Sequence, residues 1–187
     1  MRMLALLWMK FSGTLTFGGP KSLHRRMNTE IHKPYGGAFI GNLHYFALRV
    51  YIEDTDLGGV VYHANYLRFL ERARSDMLKA AGIDQRAAIE NRSGVYAVAE
   101  AHIKYRKPAK LDDELVVVSQ LEEVRGVSCV ISQKIMRGND TLVLATVTAA
   151  FITLDGRPKR QPSEWVAKFK RIRLEGGNSA SIPNPVS

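Results

Sequence analysis

Asn65-Tyr66-Leu67-Arg68-Phe69-Leu70-Glu71-Arg72-Ala73-Arg74-Ser75-Asp76-Met77-Leu78-Lys79-Ala80-Ala81 places Tyr66, Phe69, Leu70, Ala73, Met77, Ala80 and Ala81 at recurring steps of three and four. Arg68, Glu71, Arg72, Ser75 and Lys79 fill the steps between them. Residues so spaced share one side of an α-helix, so the stretch predicts an amphipathic helix with an apolar stripe to bury. Asn65 stands where an N-cap belongs, and Lys79 in the last turn followed by Gly82 supplies the stop. At this length the rod is about 24 Å long.

On either side the period changes. Upstream, Phe46, Leu48, Val50 and Ile52 alternate with Ala47, Arg49, Tyr51 and Glu53, the pattern of a half-buried strand. Downstream, a short helical turn is expected over 84–90, then four strand-like runs over 95–106, 114–123, 127–137 and 141–154. They are separated by 107–113, by Arg125-Gly126 and by Gly138-Asn139-Asp140, connections short enough to make the runs antiparallel neighbours. Val95, Ala97, Ala99, Ala101 and Ile103 offer small residues on one face, where a helix could approach closely. The class is α+β, with a single curved sheet covering a single helix. Such a sheet leaves an edge strand, which a second copy of the chain would protect.

Composition narrows the remainder. The 187 residues carry a net charge of +9, divided as +5 over 1–29, −1 over 30–155 and +5 over 156–187. A near-neutral body between basic ends argues against a nucleic-acid groove built into the fold. The ends suit solubility, or weak contact with an anionic membrane. The expected boundaries are a poorly ordered basic leader over 1–43, one domain over 44–155 and a basic, largely irregular tail over 156–187, in which Trp165, Val166 and Phe169 could pack locally. Cys129, the single cysteine, rules out an intrachain disulfide and reads as a small core residue. The apolar run from Met3 to Met9 is too short to cross a bilayer and lacks a cleavage pattern after it, so neither a signal peptide nor a membrane span is expected. The expected setting is cytoplasmic, at most peripheral to the inner membrane surface.

The chemistry concentrates between the first strand and the helix, in Asp54-Thr55-Asp56-Leu57-Gly58-Gly59-Val60-Val61-Tyr62-His63-Ala64-Asn65-Tyr66. Asp56 enters a glycine-bearing turn, and His63 stands at the opening of the helix, where unpaired N–H groups and the helix dipole favour negative charge. A carboxylate beside an oxyanion site suits attack on a thioester. Asp56 is equally the residue type that caps a strand end through an Asx-turn. Asp54 and Asp56 lack a second cluster to complete hard-cation coordination, so no metal is expected. Neither a GxSxG elbow nor a phosphate-binding glycine loop is present.

This run, continuing into Phe69-Leu70-Glu71-Arg72-Ala73-Arg74, resembles the signature of hotdog-fold acyl-CoA thioesterases, closest to the Tol–Pal-associated group of the 4-hydroxybenzoyl-CoA thioesterase-like family. The resemblance extends over about 46–154 and takes in Tyr105-Arg106-Lys107-Pro108-Ala109-Lys110-Leu111-Asp112-Asp113. It implies a hotdog fold, with homodimers or homotetramers, active sites at the dimer interface, acyl-CoA as substrate and no cofactor. It further implies that Asp56 is the catalytic carboxylate, acting as general base or nucleophile. His63 takes the helix-start position whose backbone N–H polarises the thioester carbonyl, and Tyr62, Ala64 and Asn65 belong to the same substrate-binding motif. Arg106 and Lys107, with Lys110, are candidates for meeting the phosphates of coenzyme A. Glu71 is either a surface ion-pair partner or a carboxylate behind the site. The alternatives are a hotdog hydratase or dehydratase, which would need a His with a carboxylate facing it, and a non-catalytic protein that binds acyl-CoA or phospholipid.

Overall fold

The apolar spacing after residue 64 folds as helix α1 (Asn65–Ala80), burying Tyr66, Phe69, Leu70, Ala73 and Met77. The computed structural model describes residues 35–175, and those from Gly36 onward form one compact unit. Gly82 adopts φ +70°, which lets its N–H reach the Lys79 carbonyl and the Ile83 N–H reach Leu78. This pairing is a Schellman stop, sealed by the buried side chains of Leu78 and Ile83. The stripe differs from the expected one at its margins: Ala80 is exposed, whereas Leu78 and Arg74 are buried. Nor is Asn65 the N-cap. Ala64 holds that position, and the Asn65 side chain donates instead to the Asp54 carbonyl at 3.0 Å.

Six strands form one antiparallel sheet in the order β1-β2-β4-β5-β6-β3. They are β1 (Ala38–Ile40), β2 (Leu43–Arg49), β3 (Val95–Tyr105), β4 (Glu114–Val124), β5 (Ser128–Arg137) and β6 (Asp140–Ile152). Helix α2 (Gln85–Glu90) precedes β3, capped by the Asp84 carboxylate on the Ala87 N–H. The β4-β5-β6 meander follows the expected turns. The expectation that β3 neighbours β4 fails: Val95 pairs with Ile152 and Tyr105 with Val143, which puts β3 on the far edge beside β6. The reason lies in 107–113, a seven-residue connection holding Pro108, too long for the tight turn that joins adjacent strands. Ala99 and Ala101 are accordingly exposed on an edge strand, and α1 packs on β1, β2 and β4 instead.

The expected boundaries also shift. Residues 1–34 and 176–187 lie outside the described residues. Within the expected leader, Ala38–Ile40 already pairs with β2, and β2 begins at Leu43. Within the expected irregular tail, Ser163–Leu174 forms helix α3, whose Trp165 and Phe169 close the second half of the core against Phe151 and Met77. The local packing anticipated for Trp165 and Phe169 is thus enough to order three helical turns. The other half of the core, built on Val61, Tyr66, Phe69, Leu70 and Ala109, lies directly beneath the start of α1.

Candidate active site

The segment 55–61 is a hairpin in miniature. Thr55 bridges Val61, the Asp56 N–H donates to the Val60 carbonyl at 2.9 Å, and the Gly59 N–H donates to the Asp56 carbonyl at 3.0 Å. Gly59 supplies the left-handed residue, φ +73°, that a three-residue hairpin loop ends on. Asp56 Oδ1 accepts the Gly58 N–H at 2.8 Å, so the Asx-turn is real; among the described residues Oδ2 accepts no hydrogen bond. The turn therefore holds the carboxylate of an exposed residue by one oxygen, in a segment where Tyr51, Ile52, Leu57 and Tyr62 are also solvent-facing.

Asp54 has the opposite character. It is 4% exposed, its Oδ2 accepts the Tyr51 N–H at 2.9 Å, and its carbonyl accepts both the Tyr62 N–H at 2.9 Å and the Asn65 side-chain amide. These bonds fasten the strand end to the start of the helix and fix where the hairpin projects. Asn65 acts in this brace, with its N–H on the Tyr62 carbonyl at 2.8 Å. The backbone N–H groups of His63 and Ala64 have no hydrogen-bond partner among the described residues. Unspent donors at the positive end of a 16-residue helix are the groups an oxyanion would use.

A cleft of about 280 Å³ opens beside them, lined by Val61, His63, Tyr66, Tyr105, Arg106, Lys107 and Pro108. It brings His63 together with Arg106 and Lys107; Asp56, Tyr62, Ala64 and Asn65 do not line it. The His63 ring has Tyr62 at 4.5 Å and Tyr105 at 6.5 Å as aromatic neighbours. Lys107 is paired with Asp140 at 2.7 Å, whereas Arg106 has no ion-pair partner among the described residues. Glu71 sits on the helix surface, paired with Arg74 at 2.6 Å and Ser75 at 3.2 Å.

Tyr66 and Tyr105 are the two polar cleft residues to which the sequence reading gave no site role. Tyr66 reads as core from its spacing, and 3% of it is exposed, but its hydroxyl accepts the Ala109 N–H at 2.9 Å. Tyr105 was legible only as part of the run that continues into Arg106-Lys107-Pro108. Burial raises the pKa of both phenols. Both therefore keep their protons at neutral pH and can donate. Beneath the cleft, burial opposes ionisation of Asp113, but the Lys110 N–H and the Arg137 guanidinium at 2.6 Å outweigh it and hold the carboxyl below its usual range. Among the described residues, no three His, Cys, Asp or Glu side chains gather where a metal ion could sit, and no helix is long and apolar enough to cross a membrane.

Residues 50–181 match the model of a family described as the thioesterase-like superfamily. The Haemophilus influenzae protein named acyl-CoA thioesterase YbgC is 40% identical over 129 residues, covering 68% of this chain and 95% of its own. A solved structure, a probable thioesterase from Bartonella henselae, is 36% identical with a TM-score of 0.61, over 64% of this chain and 99% of that one. The Synechocystis 1,4-dihydroxy-2-naphthoyl-CoA thioesterase, at 21% identity and a TM-score of 0.64 over 68% of this chain and 96% of its own, shares the hotdog fold.

Proposed function

Because this chain belongs to the thioesterase-like superfamily, we propose that it hydrolyses acyl-CoA thioesters to the free acid and coenzyme A, with Asp56 as the reacting carboxylate. The observation that carries the reading is the pairing of an exposed, turn-held carboxylate oxygen with unspent N–H donors at the start of α1. Either of two balanced routes uses these groups. As general base, Asp56 takes a proton from water while the oxygen of that water bonds to the thioester carbon. As nucleophile, a carboxylate oxygen forms that bond, and water later opens the resulting anhydride. In both, the carbonyl oxygen becomes an oxyanion held by backbone N–H groups near His63, and collapse breaks the C–S bond. The leaving thiolate belongs to a thiol of pKa about 8.5, so protonation by a strong general acid is not required.

Tyr62 and Ala64 border the acyl carbonyl in this reading, and Asn65 anchors the donors. Of the expected cations that line the cleft, Arg106, with no ion pair among the described residues, is better placed than Lys107 to meet coenzyme A phosphate, since Lys107 must first leave Asp140. The hydratase reading loses support from the histidines. His63 faces Tyr62 and Tyr105 and has no carboxylate partner among the described residues, and the two histidines that do face carboxylates, buried His44 on Asp76 at 3.0 Å and exposed His102 on Glu100 at 2.9 Å, do not line the cleft.

The exposed edge of β3 and the apolar residues around Asp56 suit a homodimer or homotetramer that covers the site. Lys170, Arg171 and Arg173 on the outer side of α3 add to the basic ends as a weak contact for anionic membrane, in a cytoplasmic protein. The test is thiol release from a panel of acyl-CoA esters. Turnover of esters carries the proposal; hydration of an enoyl-CoA, or tight binding without turnover, overturns it in favour of the hydratase or the binding protein.

A further inference from the structure

The His63 carbonyl has one hydrogen-bond partner among the described residues, the phenol of Tyr105, which donates to it at 3.1 Å across the cleft. From this contact we infer that Tyr105 is a positioning residue for a second oxyanion donor beside the His63 N–H, the Ala64 N–H, acting through the peptide that joins His63 to Ala64. The inference rests on the thioesterase reading above and adds a residue to it.

A peptide group is a single resonance unit. Its carbonyl and the following N–H lie in one plane and point in opposite directions. A hydrogen bond accepted by the His63 oxygen therefore fixes the direction of the Ala64 N–H, and draws electron density toward the oxygen so that the N–H becomes a stronger donor. The Ala64 N–H is one of the helix-start donors left without a partner among the described residues. The dipole of α1 points the same way and adds to the effect.

Tyr105 is itself held in place. Its ring lies 5.7 Å from that of Tyr66, whose hydroxyl is fixed by the Ala109 N–H, and the Ala109 carbonyl accepts the Val61 N–H at 2.8 Å. Three hydrogen bonds thus run between the 105–109 segment and the 61–66 segment. Two of them tie backbone into the core, and the third, from Tyr105, reaches a carbonyl whose peptide bears an unspent donor. An aromatic ring alone would fill the same space, so the hydroxyl's contribution is separable from the ring's.

The variant is Tyr105→Phe. A directly removed oxyanion donor costs 10²–10³ in rate, and a donor that is weakened and loosened while still present costs less, roughly tenfold in kcat. The KM should stay within about twofold, because the donor strengthens its hold only as charge develops on the oxygen. The second readout is the infrared carbonyl stretch of carbonyl-labelled butyryl-CoA bound to Asp56→Asn protein, which holds the ester unhydrolysed. Adding Tyr105→Phe should move that stretch to higher frequency, toward its value in water. The band reports only folded, occupied sites, so a loss of stability does not imitate the shift. An unchanged kcat, or an unmoved band, overturns the inference while leaving the thioesterase reading intact. Wild-type protein that releases no coenzyme A from butyryl-CoA or palmitoyl-CoA overturns both.

Discussion

One oxygen of Asp56 is committed to the Gly58 N–H and the other is open, so a substitution that keeps the first contact separates turn from chemistry. Asp56→Asn retains a carbonyl oxygen for the Asx-turn and loses the base or nucleophile. Its acyl-CoA hydrolysis should fall by at least ~10²-fold with an unchanged unfolding midpoint. His63→Ala keeps the backbone N–H and should lose much less; steady-state kinetics of the two side by side decide it, and a loss for His63→Ala as large as that for Asp56→Asn would give the imidazole a chemical task. The Asx-turn at Asp56 was legible because an aspartate two residues ahead of a glycine pair is the residue type that makes it. The part played by Asp54 was not, since burial separates two aspartates that share a spacing, and burial comes from the fold.

Among the elements, α1 shows why periodicity finds a helix more readily than its margins. Arg74, which the periodicity assigned to neither face, is buried, donating to Gln133 at 2.6 Å and to Glu71 at 2.6 Å. Gln133 in turn donates to Ser119 and to the Leu70 carbonyl, so each member of this buried cluster has a partner. No pattern along one element could disclose a partner supplied by another. The link between α1 and β2 is less complete. His44 Nε2 meets Asp76, which also accepts the Gly37 N–H at 2.7 Å, but His44 Nδ1 is buried without a partner. Burial lowers the pKa of His44 from 6.5, against the pull of Asp76 in the other direction. The folded chain thus resists a proton that the unfolded chain binds at about pH 6.5, and stability present above that pH is lost as the pH falls below it. Urea midpoints taken at pH 8 and pH 5 should drop more for wild type than for His44→Phe; parallel drops would remove His44 as the cause.

For the whole molecule, the open edge of β3 and the exposed apolar side chains near Asp56, among them Leu57 at 109% exposure, are what a second copy would cover. Light scattering at micromolar concentration should give a dimer or tetramer, and a fully active monomer would contradict the assembly proposed. Strand existence was legible for β2 to β6, because alternation is a local property, but not for β1, whose three residues are too few to show a period. Strand order was not: β3 reads like its neighbours in sequence, and only the length of the 107–113 connection hints that it goes elsewhere. That displacement bears on how the chain is made. On the ribosome β3 emerges well before β6, and Val95 must wait for Ile152 before its ladder can close. Until then a strand rich in alanine and valine is available to any other nascent chain. The β4-β5-β6 meander can form from near neighbours, while β3 pairs only with β6, the last strand to emerge, and so closes last; mispairing during synthesis should therefore begin at the edge that the proposed assembly would cover.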